Sequence, residues 1–181
     1  MHGPASPGWL LVALCAATGA YCLLRMRSTV EEQRRTAGGE ALMGFGMAVM
    51  AVPAAVATPP RGFWFAYAIV FGGAALRALW EARESAHHLH HLMGVGAMAY
   101  MAAAMAASPG HHGHGGIPPL TGALVLYFAV YVLWSGMGLV PVAAVATAGG
   151  ARPVGWGDRP ELARVCRLSM AIAMLAMLFA L

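Results

Sequence analysis

Residues 88–107 read HLHHLMGVGAMAYMAAAMAA, twenty residues without an Asp, Glu, Lys or Arg. As an α-helix such a stretch extends about 30 Å, the thickness of a bilayer's hydrocarbon core. It is predicted to cross a membrane, and the rest of the chain agrees. Of 181 residues, 60% are hydrophobic and 10% charged, where soluble domains carry about one quarter charged residues. Working outward, the apolar blocks predict six spans at about 6–25, 40–58, 62–80, 88–107, 120–146 and 161–181. The expected fold is an all-α bundle of six transmembrane helices forming one domain over 1–181, because no connection is long enough to fold alone.

All eleven positive side chains are arginine, and their placement orients the bundle. Arg25, Arg27, Arg34, Arg35, Arg77, Arg83, Arg152, Arg159, Arg164 and Arg167 fall at one end of the spans and only Arg61 at the other. Cytoplasmic loops carry the excess of positive charge, so both termini are expected outside a plasma (inner) membrane. All seven acids also lie at the inner end. Arginines that punctuate apolar blocks do not form the single solvated face that nucleic acid needs. No Arg or Lys precedes Trp9, so the first block reads as a retained helix and not as a cleaved signal peptide. Cys15 and Cys22 stand about 10 Å apart along that helix, beyond disulfide reach.

The chain repeats itself. Residues 42–51, LMGFGMAVMA, return at 92–102 as LMGVGAMAYMA, with a weaker echo at 168–177, LSMAIAMLAM. All three segments lie on even-numbered spans, which suggests three helical hairpins. The aligned pairs Met47/Met50, Met98/Met101 and Met174/Met177 each have i, i+3 spacing and line one helical face. Thioether sulfur is a soft, uncharged ligand suited to Cu(I), and it is buried in a membrane at far lower cost than a carboxylate. The competing reading is packing, since methionine fills irregular gaps. The glycines at 72, 73, 94, 96, 136 and 138 are expected to let helices approach closely. Pro141 is expected to kink the fifth span near its inner end.

A second cluster is EARESAHHLHH at 81–91. On a helix Glu84, His87, His88 and His91 share one side, and imidazole with a nearby carboxylate is a common metal set. An interfacial polar cap explains the same pattern. A third group, His111, His112 and His114, lies in an outer Gly/Pro loop, with His2 on the same side. The stripe 87, 91, 94, 98, 101, 105 leads from imidazole at the inner mouth to thioether at mid-depth. In the aligned helices the matching polar positions are Glu40 and Arg167, so Glu40, His91 and Arg167 are expected to form an inner polar ring.

No nucleophile elbow, phosphate-cradling glycine loop or HExxH motif occurs, and the reading leans away from an enzyme. Haem needs two facing axial ligands, for which a His91/Met43 pair would have to serve. Taken together, LMGFGMAVMA, HHLHHLMGVGAMAYM, RPELARVCRLSMAIAMLAM and the opening LLVALCAATGAYCLLR resemble a family of small actinobacterial polytopic membrane proteins known as a domain of unknown function. The resemblance implies a multi-spanning membrane protein and supplies no activity. From the residues, the expected role is binding or moving a soft transition metal, copper first, at Glu84, His87, His88, His91 and the six paired methionines. A haem- or metal-dependent electron-transfer subunit and a cofactor-free scaffold of a larger membrane complex stand as alternatives. The expected partners are the bilayer and a metal ion, with a homo-oligomer or larger complex left open.

Overall fold

The computed structural model describes residues 6–28, 31–53, 56, 58–82, 89–107, 116–137 and 160–181. Among them are six helices and no strand: α1 (Ser6–Arg25), α2 (Glu31–Met50), α3 (Arg61–Ala82), α4 (Leu89–Ala107), α5 (Pro118–Met137) and α6 (Pro160–Phe179). All but α2 are long and apolar enough to cross a membrane, so the chain has a multi-pass membrane architecture in contact with lipid.

The largest departure from expectation is α2. A span was expected over 40–58, but the helix runs Glu31–Met50. Its first turns are polar and are held by Arg34 and Arg35, which both pair with Glu31 at i, i+3 and i, i+4 spacing. Such pairs add a few tenths of a kcal/mol each to a helix (about 0.2–0.5). The far end stops because Pro53 offers no N–H and disfavours helical geometry in the residue before it. Polar residues 31–36 and Glu40 therefore leave only a short apolar remainder in this 20-residue helix. Of the fifth expected span, 120–146, the described part is helical through Met137; Pro141 and its expected kink lie outside the described residues. Pro118 starts α5 in the first-turn position, where a missing N–H costs nothing.

The helices pack most extensively as α1 with α2, α3 with α4 and α5 with α6, which is the expected arrangement of three hairpins. Across hairpins, α2, α4 and α6 all touch one another, and α1 also touches α6. The three helices that carry the repeat thus form the centre. Helices α3 and α5 lie outside, with Ile69, Leu76, Trp80, Leu126, Leu133 and Trp134 exposed. In a bilayer these faces meet acyl chains, which are as apolar as leucine and exact no hydrophobic penalty.

Two contacts fasten the end of the bundle away from Arg25. Arg61 Nε donates to the Ala106 carbonyl at 3.2 Å, placing a cation on the unsatisfied end of α4. The Tyr100 hydroxyl accepts from the Ile117 N–H at 2.6 Å and lies 2.6 Å from Thr121 Oγ1, tying α4 to the start of α5.

Candidate functional site

The centre of the bundle is a methionine core. Met43, Met47 and Met50 of α2, Met98 and Met101 of α4, and Met170 and Met174 of α6 are buried in one cluster. Met93, Met105 and Met177 pack against it half-buried. Thirteen methionines occur in the chain, and the ten on the central helices all lie in or beside this core, while Met26 and Met137 are exposed. Of the six paired methionines, five are buried and Met177 borders them.

Glycine makes the density achievable. A Cβ added at Gly94 would lie 2.9 Å from the Met43 sulfur, and one at Gly46 would lie 2.9 Å from Met98 Cε and 2.5 Å from both Phe71 Cζ and the Tyr67 oxygen. At Gly44 it would meet the backbone of Gly19 at 2.8 Å, so α1 and α2 touch main chain to main chain. The expected packing role does not extend to Gly72, Gly73, Gly96 and Gly136, around which a Cβ would find open space. These lie away from the helix seams, and Gly138 is outside the described residues.

A polar site closes the core at one end. Glu40, buried within α2, pairs through Oε2 with Arg25 Nη1 and through Oε1 with Arg167 Nε at 2.7 Å. The Cys22 thiol donates to Oε2 at 3.7 Å. Arg25 is 1% exposed, whereas the Arg167 side chain is 41% exposed. One carboxylate thus binds three helices, α1, α2 and α6. Cys166 of α6 shares the electrostatic neighbourhood of Glu40, Arg25 and Cys22. His91 of α4 lies beside this site, its imidazole over Gly39, the residue before Glu40, where a Cβ would come within 2.8 Å of Cε1 and Nε2.

Three participants escaped the sequence reading. The sequence reading gives Arg25 an orienting role and Cys22 none beyond an unpaired cysteine, whereas both face Glu40 from the adjacent α1. His90, to which the sequence reading gives no role of its own, is embedded against α5. Its ring stacks on Tyr131 at 3.7 Å and 9°, and Nδ1 lies 3.2 Å from the Tyr127 hydroxyl. The signal was the i, i+4 spacing of Tyr127 and Tyr131 on α5. Glu84, His87 and His88, like His2, His111, His112 and His114, lie outside the described residues. Among the described residues no three His, Cys, Asp or Glu side chains are grouped as metal ligands.

The family model described as Domain of unknown function (DUF5134) matches residues 32–181. The chain belongs to that family. No curated protein and no solved structure matches it. The DUF5134 region contains α3 to α6 and nearly all of α2, and with them Glu40, Arg167 and the ten core methionines. Arg25 and Cys22 stand on α1, ahead of the region, so the ion-pair site is assembled across its boundary.

Proposed function

We propose that this protein binds or moves a soft transition metal, copper(I) first, along the methionine core of α2, α4 and α6. The observation that carries the reading is the segregation of the methionines: ten, all on α2, α4 and α6, lie in or against one core. Packing alone needs apolar volume, which Leu supplies with better defined rotamers. Thioether supplies in addition a neutral donor for a monovalent soft cation, held without importing a second charge into lipid.

In this reading Glu84, His87, His88 and His91 form the inner collecting site, and the Glu40 ring closes the core beside it. Imidazole takes metal at the aqueous mouth, and the sulfurs of Met98 and Met101, with Met47, Met50, Met174 and Met177, receive it at depth. The inner end is cytoplasmic, as the arginine distribution implies, and the membrane is the plasma membrane. A haem between His91 and Met43 has less support, because at that level α2 and α4 touch directly, His91 on Gly39 and Met43 on Gly94.

The test is elemental analysis of the full chain purified without a polyhistidine tag, joined to absorbance spectroscopy. Copper at a stoichiometric level without strong visible bands supports the reading. A Soret band would replace it with electron transfer, and protein free of metal even after Cu(I) loading would leave a scaffold.

A further inference from the structure

The ion-pair site carries more positive charge than its one carboxylate balances. Arg25 and Arg167 share Glu40, and Nε of the buried Arg25 has no hydrogen-bond partner among the described residues. Burying an uncompensated charge and an unmet donor costs several kcal/mol unless something answers it. Exposed Arg164 stands one turn before Arg167 on α6, and exposed Arg27 follows the end of α1. With Glu161, exposed in the first turn of α6, the described residues around this site on α1, α6 and Glu40 set four guanidiniums against two carboxylates. Helices α1 and α6 touch, and Arg25 and Arg167 meet on Glu40 at their seam.

The depth of the seam indicates what answers it. Arg25 is the last residue of the α1 span and Glu161 the first of the α6 span, the level of lipid headgroups. From there Arg164 and Arg167 lie about 4.5 and 9 Å further in by helical rise. Exposed Leu24, Val165 and Ile172 on the same two helices offer apolar surface for chains. We infer that the α1/α6 seam binds the phosphodiester of an anionic phospholipid. Arg164 and the outer part of Arg167 hold the phosphate oxygens, and Arg25 supplies charge from behind. Basic pockets between transmembrane helices hold anionic headgroups on these terms, and the planar guanidinium suits a phosphate better than an ammonium does.

The full chain in non-ionic detergent is titrated with phosphatidylglycerol, phosphatidylcholine and inorganic phosphate, and bound lipid is counted by native mass spectrometry. Phosphatidylglycerol is expected to bind at least about fivefold tighter than phosphatidylcholine. Arg164→Gln should weaken it by about fivefold, the effect of one guanidinium near a charged headgroup. Arg167→Gln should weaken it further. Arg34→Gln, at an exposed arginine paired with Glu31, should change nothing. Should Arg167→Gln fail to fold for want of its pair with Glu40, exposed Arg164 still carries the test. Equal binding of the two lipids, or an unchanged Arg164→Gln variant, would overturn the proposal. Inorganic phosphate displacing phosphatidylglycerol at millimolar concentration would overturn it too, by making the seam an anion site without lipid.

Discussion

Met43 of α2 sets its sulfur against Gly94 of α4, and Met98 of α4 returns the contact onto Gly46 of α2. Each helix thus presents a long thioether to the other's bare backbone. This exchange brings α2 and α4 together at the centre of the bundle.

The exchange makes a graded prediction for glycine. Gly46→Ala forces Phe71, Tyr67 and Met98 aside and is expected to cost about 1–3 kcal/mol, as overpacking does. Gly44→Ala meets the Gly19 backbone, which cannot swing away, and should cost at least as much. Gly73→Ala and Gly96→Ala enter open space and should shift stability by no more than about 1 kcal/mol, the Gly–Ala difference in helix propensity. Thermal unfolding in detergent ranks the four.

Glu40 carries the second prediction. Breaking a buried ion pair by removing one partner costs about 3–5 kcal/mol, and Glu40→Gln strips the partner from Arg25 and Arg167 at once. Arg167→Gln, at a half-exposed side chain, should cost less. Glu31→Gln, in exposed pairs, should stay within about 1 kcal/mol. Equal losses at Glu40 and Glu31 would mean that the buried site adds nothing to the fold.

Much of this was legible in the sequence, and the reasons are specific. The end of α1 was legible because a mostly apolar run gives way to arginine at Arg25. The pair of Glu40 with Arg167, and His91 beside it over Gly39, was legible through the repeat, which fixed each at the same offset from a methionine pair. The start of α2 was hidden because EEQRRTAGG has the composition of a loop, and its helix rests on i, i+4 ion pairs that a hydropathy window does not weigh. Arg25 and Cys22 were hidden for another reason. Their partner lies on the next helix, and periodicity within one helix says nothing about what faces it.

His90 offers a prediction about the α4–α5 seam. Tyr127→Phe removes the hydroxyl beside Nδ1 and keeps the ring, so the cost should be that of one hydrogen bond, about 0.5–1.5 kcal/mol. Tyr131→Ala removes the stacked ring of a half-buried residue and should cost more than Tyr127→Phe, up to about 3 kcal/mol, the low end for truncating a core aromatic. The same thermal assay separates them.

Orientation is tested by reporter fusions. Those after Leu181 and within 108–118 should report outside, and those within 28–38 and 150–158 inside, if arginine sets the topology. A cytoplasmic C-terminus would contradict it.

The central claim, that the core sulfurs are ligands, is met most directly by Met98→Leu with Met101→Leu. Leucine nearly conserves volume and usually costs under about 1.5 kcal/mol in a core, yet it removes the only soft donor. Met137→Leu, at an exposed methionine, is the control. The measurement is Cu(I) affinity of the purified protein by competition with a chromophoric chelator. The account predicts a folded double variant with markedly weakened Cu(I) binding and an unaltered Met137→Leu; a double variant that holds Cu(I) as the unmodified protein does would contradict it and reduce the core to packing.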